Sequence, residues 1–166
     1  MLVYHTSDQC FDSPDVRHSR DALDFGKGFY VTRLIEQADK YSSRFLRAGK
    51  DAYLHIFEYT PDPDMRIRTF EAYDEAWLDF VSNCRKGKDA YKQYDIIEGG
   101  VANDKVFQTV DLYMAGVYNK EQALQNLAYE MPNNQLCFIT QEAIDRCLKF
   151  LSLIHISEPT RQAEIS

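Results

Sequence analysis

Four residues suited to chemistry stand far apart in this chain: His5, Tyr30, Tyr41 and Gln135. An imidazole at the end of the apolar run Leu2-Val3-Tyr4-His5 can exchange a hydrogen bond or a proton near neutral pH. Tyr30 and Tyr41 can stack on a flat ligand. Each residue also has an ordinary reading. A lone strand histidine is commonly a hydrogen-bonded structural group, tyrosines at these spacings commonly belong to a core, and Gln135 enters a strand as an exposed polar residue would. The stretch Asp24-Phe-Gly-Lys-Gly-Phe-Tyr-Val-Thr32 frames Tyr30. Glycines this close to a strand start mark a backbone that bends or lets another group approach closely. The stretch is thus either a plain loop feeding a strand or one wall of a pocket. Turn and cap chemistry accounts for Asp24, Glu98 and Asp104.

Several functions are excluded. There is no G-x-S-x-G, H-E-x-x-H, P-loop or G-x-G-x-x-G pattern. His5, His18 and His55 lack ligand spacing, so no metal site is expected. With a formal net charge of -7 the chain is a poor candidate for a broad nucleic-acid surface, although a local basic pocket is compatible with it. Cys10, Cys84, Cys137 and Cys147 are widely spaced and read as free thiols of a reducing compartment. The N-terminus lacks the pattern of a signal peptide, and no apolar run approaches the ~20 residues that span a bilayer. A cytoplasmic protein is expected, either in its source cell or in a recipient cell.

The elements that must position these residues follow from periodicity. Leu2–His5, Phe29–Thr32, Ala52–Thr60, Arg66–Phe70, Tyr94–Glu98 and Gln135–Thr140 read as strands. Residues 8–23 form a polar loop carrying Arg17, His18 and Arg20. Leu34 to Arg47 reads as a helix with Leu34, Ala38, Tyr41 and Phe45 on one face. Further helices run from Asp74 to Cys84, from an Asn103 cap to Gly116, from the capping box Asn119–Gln122, and from a Thr140 cap. Strands and helices do not alternate regularly, so the fold class is α+β with a mixed or antiparallel sheet. At 166 residues this is one domain.

Taken together, the elements resemble a known superfamily. His5-Thr6-Ser7 resembles the His-Gly-Ser/Thr element of ADP-ribosyltransferases of the diphtheria-toxin and poly(ADP-ribose) polymerase type. Gly26-Lys-Gly-Phe-Tyr30 resembles their Gly-x-Gly-Ile/Phe-Tyr segment, and the Tyr30 to Tyr41 spacing resembles that of their two stacking tyrosines. Asn134-Gln135-Leu-Cys-Phe138 resembles the late strand that carries their catalytic glutamate. The nearer resemblance is to the DUF3990 proteins, a bacterial family within that superfamily. It is carried by Tyr4–Ser7, Ser19-Arg20, Asp24–Thr32, Gln37-Ala38, Tyr73-Asp74, Trp77–Phe80 and Val101–Lys105, and it covers residues 2–150. Leu151–Arg161 instead resembles the in-frame translation of a transposase-type sequencing adapter, with barcode sequence after it. On that reading 1–150 is an ADP-ribosyltransferase-like domain and 151–166 a non-native tail, set aside from the fold. The acidic balance survives its removal.

The resemblance implies a split mixed or antiparallel sheet and NAD as substrate. His5 would bond a ribose hydroxyl, and the Thr6 backbone would pair with the nicotinamide carboxamide. Tyr30 and Tyr41 would sandwich the ring, Gly28 would leave room for it, and Arg20 would take the pyrophosphate. Gln135 would contact the ribose 2′-OH. Thr6 stands where the superfamily usually has Gly, and Gln135 where it has Glu. The implied activity is mono-ADP-ribosylation of a macromolecular acceptor, with His5 and Gln135 catalytic. A catalytically inactive NAD- or ADP-ribose-binding module and a structural interaction domain stay open beside it.

Overall fold

A computed structural model of the chain describes residues 1–17 and 24–156. The described strands are β1 (Leu2–Ser7), β2 (Phe29–Thr32), β3 (Ala52–Tyr59), β4 (Ile67–Thr69), β5 (Ile96–Gly99), β6 (Gln135–Phe138) and β7 (Leu148–Ile156). The helices are α1 (Ile35–Arg47), α2 (Glu75–Arg85), α3 (Asp104–Met114), α4 (Lys120–Leu127) and α5 (Gln141–Cys147), with a 3-10 turn at Ala90–Gln93.

Local chemistry explains the helix starts. Asp74, Asn103 and Thr140 each accept the backbone N–H three residues on, from Trp77, Val106 and Ala143. Asn119 and Gln122 close a reciprocal capping box on α4. Helix α1 differs: Leu34 precedes it without any side-chain cap. Its expected inward face is also corrected. Ala38 and Ser42 are buried, while Leu34 and Tyr41 are each 44% exposed. Small residues at 38 and 42 let the helix lie close to β1, where the Thr6 hydroxyl donates to the Ala38 carbonyl at 2.9 Å. The larger side chains are left at its flanks.

The strands form one mixed seven-stranded sheet in the order β4-β5-β6-β2-β1-β3-β7. Only β4 and β5 run parallel among the described pairs. Alternation along the strands sorts the core into two layers. Val3, Phe29, Val31, Phe57, Leu136 and Phe138 pack on one face beneath α5. Phe25, Trp77, Leu78, Val81, Ile97 and Cys137 pack on the other, beneath α2, α3 and α4. Residues 151–156, set aside on sequence grounds, extend β7 along β3 as far as the pair Ala52↔Ile156. They add ladder but little core, because every residue from Leu151 to His155 is exposed.

The sheet has a weak seam. β1 pairs with β3 through six residues, from Leu2↔Glu58 to Ser7↔Tyr53. It pairs with β2 only at Tyr4↔Thr32. Beyond that point the two strands are not in ladder register.

Candidate functional site

β2 lies between β1 and β6, which brings His5-Thr6, Tyr30 and Gln135 onto neighbouring strands. Tyr4↔Thr32 and Thr32↔Gln135 are direct partners. Alternation therefore puts Thr6, Tyr30 and Gln135 on one face, where α1 packs over Thr6. His5 belongs to the opposite side, with its ring centroid 4.3 Å from that of Phe29. Tyr41 projects from α1 against Phe45, ring centroids 5.5 Å apart. Arg20 lies outside the described residues.

Two tyrosines expected to act as a pair have different surroundings. The Tyr30 hydroxyl donates to the Gly26 carbonyl at 2.6 Å and accepts the Phe25 N–H at 3.0 Å. Burial raises its pKa well above the ordinary tyrosine range. Tyr30 thus closes the glycine loop on itself. Tyr41 is exposed, with the Arg44 guanidinium 5.3 Å from its ring centroid. The glycines are equally particular. Gly26 has φ +84°, and a side chain there would meet the Tyr91 ring at 2.3 Å. One at Gly28 would meet Cys137 Sγ at 2.5 Å and the Phe138 carbonyl at 2.6 Å. The room these glycines make is taken by Tyr91 and Cys137.

His5 reaches across the seam. Its Nδ1 is 2.6 Å from the Tyr30 carbonyl, an acceptor, so Nδ1 carries the proton and Nε2 the lone pair. His55, its partner across β3, donates from Nδ1 to the His5 carbonyl at 3.1 Å and accepts the Phe11 N–H on Nε2 at 3.3 Å. Removal from water lowers the His5 pKa to about 4, with the neighbouring His55 adding to the shift and the Tyr30 bond opposing it. The His55 pKa is lowered by the same desolvation. Both rings are neutral at pH 7.

Gln135 is held by its neighbours. The preceding Asn134 donates to Glu98 Oε2 at 3.1 Å, and Arg33 Nη2 meets the same oxygen at 2.7 Å. The Thr32 hydroxyl lies 2.9 Å from the Asn134 carbonyl. This polar clamp ties the end of β2 to β5 and the start of β6. Gln135 opens β6 half-buried, and among the described residues its side-chain amide has no hydrogen-bond partner. A groove of about 550 Å³ along α4 and a cavity of about 250 Å³ between residues 12–14 and α5 lie elsewhere, with none of the predicted site residues in their walls.

A family model described as "Protein of unknown function (DUF3990)" matches residues 1–150. The chain belongs to the DUF3990 family. No curated protein and no solved structure matches it. In this DUF3990 chain the match stops at Phe150, after which Leu151 to His155 are all exposed.

Sequence reasoning missed one group of this DUF3990 site. Asp24, assigned there to turn chemistry, is 6% exposed and forms an ion pair with Arg85 Nη2. Its other oxygen accepts the Ala102 N–H at 2.7 Å. Burial raises the Asp24 pKa while Arg85 and that N–H oppose the rise. The pair fastens the glycine loop to the end of α2 and to the segment before α3. Only the neighbouring Phe25, which enters the core, hinted in sequence that this loop is buried. Glu98, also read as turn chemistry, is the centre of the clamp beside Gln135. Among the described residues no group of three His, Cys, Asp or Glu side chains is arranged to hold a metal ion, and no helix is long and apolar enough to cross a membrane. All four cysteines are free thiols, and only Cys10 is exposed.

Proposed function

We propose that this DUF3990 protein is an ADP-ribosyltransferase-like domain that takes NAD as substrate and transfers one ADP-ribose to a macromolecular acceptor. The observation that carries the reading is the seam between β1 and β2. Strand alternation there puts Thr6, Tyr30 and Gln135 on one face from three distant parts of the chain, with Thr6 bonded to the helix that bears Tyr41. The resemblance implies a split sheet; here the seven strands form one continuous sheet, and the short β1–β2 pairing is what supports the reading.

In this reading the Thr6 backbone pairs with the nicotinamide carboxamide where the ladder has ended. Tyr30 and Tyr41 hold the ring between them, an attraction strongest while the ring is cationic. The Gln135 amide bonds the ribose 2′-OH. His5, on the opposite face, acts by holding the Tyr30 carbonyl through Nδ1 rather than by touching the ribose. The bond from ribose C1′ to the nicotinamide nitrogen breaks, and nicotinamide leaves neutral with the bonding pair. The acceptor nucleophile adds to the oxocarbenium carbon and gives up its proton to solvent. Gln135 orients the ribose but supplies no charge to stabilise that cation, so turnover is slow.

The uncharged Gln135 also favours a second reading, a module that binds NAD or ADP-ribose without cleaving it. Labelled NAD incubated with the protein and a cell lysate separates the two. Transfer predicts incorporation that falls in Tyr41→Ala and Gln135→Ala and rises in Gln135→Glu. Binding of NAD with no nicotinamide release identifies the module. Absence of both binding and incorporation refutes both readings.

A further inference from the structure

The charge on α1 is segregated. Glu36 and Asp39 occupy its first turns, while Lys40, Arg44 and Arg47 follow at spacings of four and three, which aligns them along one exposed stripe. No carboxylate among the described residues lies within ion-pair distance of Lys40, Arg44 or Arg47. Cations near a helix C-terminus complement the helix dipole, which suffices for Arg44 and Arg47. It does not account for what stands beside them. Tyr41 is 44% exposed, with Arg44 over one side of its ring and Phe45 set edge-on to it. The stripe is therefore three unpaired cations about 10 Å long at the helical rise, with an aromatic ring held in a fixed pose at its edge.

We infer that Lys40, Tyr41, Arg44 and Arg47 form a binding stripe for single-stranded nucleic acid. The cations track phosphates, and an unpaired base stacks on Tyr41, where Arg44 adds a cation–π contribution. A duplex buries its base faces within its own stack and gives Tyr41 nothing to stack on. An acidic peptide satisfies the cations but leaves the exposed ring unused. The protein's overall charge of -7 disfavours a polyanion on the surface at large, so binding depends on a local cationic stripe such as this. The inference shares Tyr41 with the NAD reading, while Lys40, Arg44 and Arg47 belong to it alone, so the triple change separates the two.

Fluorescence anisotropy with a short labelled DNA or RNA oligonucleotide, in the absence of NAD, tests it. The expected result is binding whose log–log salt dependence has a slope of about -2, three phosphates at roughly 0.7 each. The triple change Lys40→Glu, Arg44→Glu, Arg47→Glu abolishes binding, and Tyr41→Ala weakens it about tenfold. Lys86→Glu with Lys88→Glu, exposed cations off the stripe, leaves it unchanged. DNA and RNA arms distinguish the source of the strand. Absence of binding, or binding that survives the triple change, overturns the inference. Equal binding of polyglutamate, of duplex or of anionic vesicles overturns it too, in favour of a generic anion surface.

Discussion

Strand β1 has two very different edges. Toward β3 it is joined by six paired residues, with the His55 ring adding a bond to the His5 carbonyl. Toward β2 it is joined by one pair, and side chains take over: the His5 ring bonds the Tyr30 carbonyl, and the Tyr30 hydroxyl closes the glycine loop alongside. The difference teaches where function can sit. A complete ladder leaves its backbone groups nothing to bind with. An interrupted one exposes backbone and must be propped by specific residues, which are then the ones that matter.

The largest expected effect comes from removing the most buried prop. Asp24→Asn or Arg85→Met leaves the other ion without its partner and costs about 3–5 kcal/mol. Urea denaturation checks this, and a loss below about 1 kcal/mol shows that the glycine loop is held by other means. The double change is less damaging than the sum of the two, because no lone charge remains buried.

A pH difference comes next. With the His5 pKa lowered from 6.5 to about 4, the folded state holds fewer protons than the unfolded chain between those values. Stability contributed by neutral His5 is therefore lost as pH falls from 6.5 through 4. His5→Gln removes roughly 2–3 kcal/mol of that acid loss relative to wild type. Unfolding free energies at pH 7 and pH 4 give the comparison. Parallel pH curves for the two proteins place the acid sensitivity elsewhere.

Tyr30→Phe is smaller. It strips the hydroxyl that serves Gly26 and Phe25 and costs about 1–2 kcal/mol. A thermal melt unchanged by the substitution means that the loop keeps its shape without that prop.

Much of this fold was legible because its signals are local. The caps Asn103 and Thr140 and the Asn119 box lie within three residues of the groups they satisfy, and all three were read correctly. Six of the seven described strands followed from β-branched and aromatic runs in the same way; β7 did not, since its residues were read as the end of a helix and a tail. The rest depended on distance. Nothing near Asp24 announces Arg85, sixty-one positions later, and the face on which His5 lies was set by the register of β1 with β2. On α1 the periodicity grouped Leu34, Ala38, Tyr41 and Phe45, but the small Ala38 and Ser42 decided which flank approached the sheet. Gly26 and Gly28 were rightly read as points of close approach. The approaching groups are Tyr91 and Cys137, which no sequence pattern identifies.

The central claim is that NAD binds at the open seam, between the fixed Tyr30 and the exposed Tyr41. Calorimetric titration of NAD into the wild-type protein and Tyr41→Ala tests it most directly. Tyr41 is a surface residue, so its replacement shifts stability by less than about 0.5 kcal/mol and the fold is preserved. The account predicts saturable binding to the wild type and about a tenfold weaker Kd in Tyr41→Ala. No binding of NAD to the wild type, or equal affinity in both proteins, contradicts it.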